Sequence, residues 1–192
     1  MNNYYSEHSK EYIDNTKNAD MANLYSFFLK WLNKDSKRIM DLGFGSGRDS
    51  LYFKSLGYSV CSIDPTKDFC DNAVKLELEE IRCISAQELD CSNEFDGIWA
   101  CASLLHIPSN ELNDVFKKCF KALKENGVMY VSFKYGNFEG IRNDRYFIDL
   151  NEESIKEYID NTGFIIEDIK ITNDVRPNRN EKWLNVILKK EN

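Results

Sequence analysis

At 192 residues with 42% hydrophobic content, the chain is long enough for one domain with a substantial core. Its 25 Lys and Arg stand against 32 Asp and Glu, a formal charge of −7, which argues against a broad nucleic-acid or anionic-membrane footprint but leaves room for a small basic pocket. No apolar run approaches a transmembrane helix, and the first residues do not begin a signal peptide. Cys61, Cys70, Cys83, Cys91, Cys101 and Cys119 contain no Cys-x-x-Cys pair and read as reduced thiols of a cytoplasmic protein. With only His8 and His106 beside them, no metal site is expected.

The chain opens on an aromatic stretch, Tyr4-Tyr5-Ser6-Glu7-His8 through Tyr12. Residues 20–32 place Met21, Leu24, Phe27, Phe28, Trp31 and Leu32 at helical spacing, which predicts an amphipathic helix ahead of the first strand. Residues 38–42 are that strand, 47–56 the next helix, closed by Gly57, and 58–63 the second strand. A helix over 67–79 and a short strand over 81–84 follow. Residues 95–101, Phe-Asp-Gly-Ile-Trp-Ala-Cys, have the near-continuous apolar character of a central parallel strand. Ser109 caps a helix running to 124 with Leu112, Val115, Phe116, Cys119, Phe120 and Leu123 on one face. Gly127 closes it, and 128–133 is the fifth strand. A helix over 151–161 precedes two strands, 164–171 and 183–188, joined by a loop containing Pro177. Strands separated by helices of about a dozen residues predict an α/β fold with a three-layer, Rossmann-like, doubly wound and mostly parallel sheet. The last two strands have no helix between them and should pair antiparallel at one edge. No repeat, low-complexity segment or linker divides the chain.

Residues 41–47, Asp-Leu-Gly-Phe-Gly-Ser-Gly, lie where the first strand ends and a helix begins, so backbone there can come very close to a bulky ligand. A dinucleotide fingerprint, G-x-G-x-x-G, fails in both registers: counted from Gly43 the third position is Arg48, and from Gly45 it is Ser50. Those glycines fit a pyrophosphate, which a ligand without one does not need. Asp64 ends the second apolar run, about where α/β nucleotide sites set a carboxylate on a ribose hydroxyl. The Asp-x-Gly-x-Gly-x-Gly run followed by Arg48-Asp49-Ser50-Leu51 resembles motif I of the class I S-adenosylmethionine-dependent methyltransferases. That resemblance covers nearly the whole chain, including its ending, because the family's final strand inserts antiparallel.

The resemblance implies S-adenosylmethionine as cofactor. It places Asp41, Gly43, Phe44, Gly45 and Gly47 on the amino-acid and ribose portions, and Asp64 on both ribose hydroxyls. Ala86 and Gln87 fall at the adenine edge, although many relatives carry Asp where this chain has Ser85. Phe95-Asp96 and the run from Ala100 to His106 match motif IV, beside the methionine part. Arg48 resembles the tellurite-resistance branch, or else is a solvent-facing first-turn arginine. Tyr5 and Tyr12 line a lid over the cofactor, or else pack on the sheet edge. The implied division is a single methyltransferase domain, with 1–36 as N-terminal lid and helix, 37–134 as cofactor-binding half and 135–192 as substrate-side half.

Methyl transfer from a sulfonium is an in-line displacement that needs near-attack geometry and exclusion of water, with no obligatory acid, metal or covalent nucleophile. Where a base is required, His106 is best placed and His8 second; the competing reading of His106 is a helix cap or a space-filling ring. Lys134, Arg142 and Arg145 follow the fifth strand, and Arg176 and Arg179 lie between the last two. Both connections emerge on the cofactor face, so these cations suit a small anionic substrate that also meets His106. The interleaved Glu139, Asp144, Asp149, Asp174 and Glu181 offer the alternative of ion pairs that stitch the loops together. RNA or protein methylation is the second reading. Against it stand the low charge and Ala-Cys-Ala-Ser where amino-methylating enzymes carry an Asn/Asp-Pro-Pro-Tyr-like tetrapeptide. A non-catalytic S-adenosylmethionine binder is the third. The oligomeric state is left between monomer and homodimer.

Overall fold

The computed structural model describes residues 4–176 and 179–191. Two short helices, α1 (Tyr4–Glu7) and α2 (Ser9–Thr16), precede α3 (Ala22–Leu29). Strand and helix then alternate through β1 (Arg38–Leu42), α4 (Arg48–Ser55), β2 (Ser59–Ile63), α5 (Lys67–Lys75) and β3 (Glu80–Arg82), and a 3-10 turn (Ala86–Glu88) leads to β4 (Phe95–Ala100). Next come α6 (Ser109–Ala122), β5 (Leu123–Lys134), a hairpin of β6 (Glu139–Arg142) and β7 (Arg145–Ile148), α7 (Ser154–Ile159), β8 (Phe164–Asn173) and β9 (Lys182–Lys190).

Seven strands form one sheet in the order β3-β2-β1-β4-β5-β9-β8. The first five are parallel, and β9 enters antiparallel to both neighbours. The order reverses between β1 and β4, which opens a crevice at their carboxyl ends, the place where such sheets bind ligands. Side chains alternate across the sheet with period two. Ile39, Val60, Trp99, Tyr130 and Ile187 pack with Phe28 of α3 and Phe53 of α4 on one face. Met40, Cys61, Ile98, Met129 and Val186 pack with Leu112 and Phe116 of α6 on the other. Trp99 stacks on Tyr130 with centroids 4.0 Å apart, and both rings are fully buried. Each such ring contributes about 2–3 kcal/mol of burial free energy.

The doubly wound sheet with its antiparallel insertion has the expected class, but several boundaries shift. The helix expected over 67–79 stops at Lys75 and the chain turns at Glu77, whose φ is 55°. The helix expected to reach 124 ends at Ala122, because Leu123 already pairs with Phe95 and starts β5 five residues early. The helix expected over 151–161 shortens to Ser154–Ile159. Helices α1 and α2 and the β6–β7 hairpin were not anticipated. The hairpin turns on Asn143 and Asp144, at φ 47° and 60°, the pair of left-handed residues that a two-residue hairpin requires. Pro177, in the loop before β9, lies outside the described residues.

Candidate functional site

At the end of β1 the chain folds back through three glycines. A side chain at Gly43 (φ +82°) would put its Cβ 2.3 Å from that of Ser103, so the loop can lie against the β4 end only as glycine. At Gly45 (φ +52°) a Cβ would meet the Tyr12 ring at 2.9 Å; α2 sits directly on the loop. Asp64 accepts hydrogen bonds from the Gly45 N–H (3.2 Å) and the Thr66 N–H (2.8 Å), fixing the loop to the end of β2. Burial pushes its carboxyl pKa up, against the pull of those donors.

Two cavities flank this loop. The larger, about 630 Å³, runs from Gly43, Gly45 and Asp64 past Phe69 to Ser85, Ala86 and Gln87. That volume lies in the range of small-ligand sites. The Ser103 hydroxyl, at the wall of this cavity, is buried without a partner, one donor that a polar ligand would satisfy. The smaller, about 230 Å³, lies beneath α1 and α2, with Arg48, Cys101, Tyr130, Ser132 and Asn185 among its walls. Tyr5, Tyr12, Gly43, Ala102, His106 and Arg145 line both. The two spaces therefore meet at this set of side chains.

At that meeting point His106 is held from both sides. Its Nδ1 lies 2.8 Å from the Tyr146 carbonyl, which can only accept, so Nδ1 carries the proton. Nε2 then presents a lone pair, and the Tyr5 hydroxyl donates to it at 2.7 Å. Burial, with smaller contributions from Arg145 and Lys134, lowers the ring's pKa to about 4, so it is neutral at physiological pH. Arg145 reaches the same hydroxyl, with Nη1 3.3 Å from Tyr5 Oη.

The residues singled out from sequence divide among these spaces. Gly45, Asp64, Ala86 and Gln87 line the larger cavity, and Gly43, Tyr5, Tyr12, His106 and Arg145 line both. Phe44, Arg48, Lys134, Arg176 and Arg179 line the smaller one. Four residues line neither. Asp41 is buried and accepts the Ser50 hydroxyl at 2.6 Å; burial and the neighbouring Asp49 hold its carboxyl pKa well above the ordinary value. Gly47 caps α4 and faces Leu76. Ala100 is fully buried within the sheet core. Arg142 grips Asp149 at 2.6 Å and stacks on Phe138, away from both spaces. These four stand outside both cavities because the β1 and β4 ends, the start of α4 and the hairpin turn their side chains, or the place of one, into protein.

Arg48 is neither solvent-facing nor free for a ligand. Its Nε and Nη2 clasp Asp49 at 2.6 and 2.8 Å, and Nη1 donates to the Thr16 carbonyl at 3.1 Å, hooking the end of α2 onto α4. Sequence reasoning missed Asp49, which also receives Tyr25 Oη (2.5 Å) and Trp99 Nε1 (2.9 Å). It also missed Asn185, fully buried in β9 and bonded to Tyr130 Oη. An amide inside an apolar strand was the available signal.

The fold and the comparisons that follow support an S-adenosylmethionine-dependent methyltransferase. The methyltransferase-domain family matches residues 40–131, from β1 into β5. A curated relative, an uncharacterized methyltransferase of Staphylococcus carnosus, is 25% identical over 187 residues, covering 92% of this chain and 90% of that protein. The ubiquinone biosynthesis O-methyltransferase of Bradyrhizobium diazoefficiens is 30% identical over 101 residues, half of this chain and 39% of that protein. Among solved structures, the 1,6-didemethyltoxoflavin-N1-methyltransferase of Burkholderia thailandensis, with 1,6-didemethyltoxoflavin and S-adenosylhomocysteine bound, superposes with a TM-score of 0.79. It is 19% identical, and the match covers 98% of this chain and 84% of that one.

Proposed function

We propose that the enzyme methylates a small molecule held in the smaller cavity, while the larger cavity takes S-adenosylmethionine through Gly43, Gly45, Asp64, Ala86 and Gln87. The observation that carries this reading is the pair of cavities meeting at Tyr5 and His106. A space of about 230 Å³ suits a metabolite rather than a folded partner or an RNA strand. The cations around it favour an acceptor with negative charge. When bound, the cofactor supplies an electrophilic methyl group. The chain's part is to hold the acceptor in line, exclude water and take its proton. Neutral His106 receives that proton at Nε2, by way of the Tyr5 hydroxyl that already donates there.

Under this reading residues 1–36 supply the N-terminal lid and helix, 37–134 the cofactor-binding half and 135–192 the substrate-side half of one domain. Six free cysteines suit a reducing, cytoplasmic setting. No helix among the described residues is long and apolar enough to cross a membrane. The tellurite-resistance branch rests on Gly47-Arg48-Asp49-Ser50-Leu51, and protection of growth on tellurite tests it. The broader reading is tested by calorimetric titration with S-adenosylmethionine beside NAD and ATP, followed by a metabolite screen for methylated products. Saturable binding of S-adenosylmethionine alone is expected; tight NAD binding without it would reverse the assignment.

A further inference from the structure

Among the cations at the two cavities, Arg145 is set apart. Lys134 pairs with Glu181 (3.2 Å), Arg176 with Asp174 (2.6 Å), Arg179 with Glu181 (3.8 Å) and Arg48 with Asp49 (2.6 Å). Arg145 forms no ion pair among the described residues. Its guanidinium lies between aromatic rings instead, 4.5 Å from the centroid of Tyr4 and 5.0 Å from that of Phe147. Among the described residues only Nη1 has a hydrogen-bond partner, the Tyr5 hydroxyl, and Nε is buried with none.

The unused edge matters. Arg48 and Arg176 each grip a carboxylate through Nε and Nη2 together, the planar fork that matches two oxygens. In Arg145 that same edge meets no acceptor among the described residues, while the residue lines both cavities beside His106. The protein carries seven excess negative charges, yet no ion pair joins a carboxylate to this guanidinium among the described residues. Rings on its flanks hold the cation in place without neutralising it.

We propose that Arg145 is the anion-recognition residue of the acceptor site, and that the methyl acceptor carries a carboxylate or phosphate gripped by its Nε–Nη2 edge. This rests on the methyl-transfer reading and narrows it. The acceptor's anion sits at Arg145, and its nucleophilic atom lies within reach of the Tyr5–His106 pair. Tyr4 stacks on the guanidinium face and leaves the in-plane edge to the anion.

The full chain is titrated calorimetrically with acetate, benzoate and inorganic phosphate, each with and without saturating S-adenosylhomocysteine. Saturable binding is expected for the carboxylates or for phosphate, and that preference identifies which group the acceptor bears. Arg145→Gln should weaken it at least tenfold while S-adenosylhomocysteine affinity changes less than threefold. Lys121→Gln, on the outer face of α6, should leave both unchanged. If Arg145→Gln fails to fold, Arg145→Lys, which keeps the charge but loses the fork, decides with a loss of threefold or more. No saturable anion binding, or equal binding by the Arg145 variants, overturns the proposal. Failure of S-adenosylhomocysteine to bind would instead sink the methyl-transfer reading, and the titrations made without it still judge Arg145.

Discussion

His106 carries a consequence of its surroundings that solution measurements can read. Its pKa falls from 6.5 to about 4 in the folded chain, chiefly through burial. Between those two values an unfolded chain takes up a proton that the folded one refuses, so stability declines as pH drops through that window and is untouched above it. The full shift is an upper bound for a ring that keeps some exposure, and about 1–2 kcal/mol of loss by pH 4.5 is the reasonable scale. Urea denaturation at pH 7 and pH 4.5 should show a smaller difference for His106→Gln than for the wild type by that amount. The same substitution should lower kcat about 100-fold if Nε2 takes the acceptor proton, and leave S-adenosylhomocysteine affinity nearly unchanged. A variant with wild-type turnover would leave His106 with a packing role alone. His106 could be singled out from sequence because it follows a strand end on the ligand side. Asp49 could not, since one acidic residue in a helix's first turn looks the same whether it faces water or three buried donors.

Helix α2 has little of its own to hold it: eight residues, none of them buried as a whole, and no side-chain cap. Helices this short are not stable alone, so tertiary contacts must keep it folded. Arg48 supplies one through the Thr16 carbonyl, and Tyr12 supplies another against Phe69, with ring centroids 5.3 Å apart. Arg48→Met should therefore loosen α2 before anything else. Amide exchange across residues 9–16 should quicken at least tenfold while β4 and β5 stay protected. Global stability should fall by about 2 kcal/mol, because Asp49 keeps Tyr25 and Trp99 but loses its cation. Unaltered exchange in α2 would refute the hook. The same scale explains what sequence reading could and could not reach. Helix α6 was legible because Leu112, Val115, Phe116 and Cys119 repeat at helical spacing over fourteen residues. The β6–β7 hairpin was not, since four-residue strands carry almost no periodicity and Asn143-Asp144 lacks the glycine that usually marks such a turn.

Over the whole molecule, the sheet order follows from a few features of the sequence. Helices after β1, β2 and β4 demand parallel crossovers, and the missing helix between β8 and β9 demands an antiparallel pair. The larger cavity was legible for the same reason, because its walls are strand ends whose place the topology fixes. The smaller one was legible only in part: Tyr5, Tyr12, His106, Lys134, Arg145, Arg176 and Arg179 were marked from sequence, but only tertiary contact decides where α1, α2 and the hairpin lie around them. If the larger cavity takes its ligand in the folded state alone, S-adenosylhomocysteine at 100 times its Kd should stabilise the protein by about 2.7 kcal/mol. Thermal melts should rise accordingly and stay level with NAD. A flat response to both would remove that cavity from consideration as the cofactor site.

The Tyr12 ring resting on Gly45 also bears on timing. Were a nucleoside to reach the floor of the crevice from that side, the eight-residue α2 would have to rise before loading and again before the spent compound departs. The slow beat of such an enzyme would then belong to that swinging helix rather than to bond-making, and its tempo would be written in the first sixteen residues of the chain.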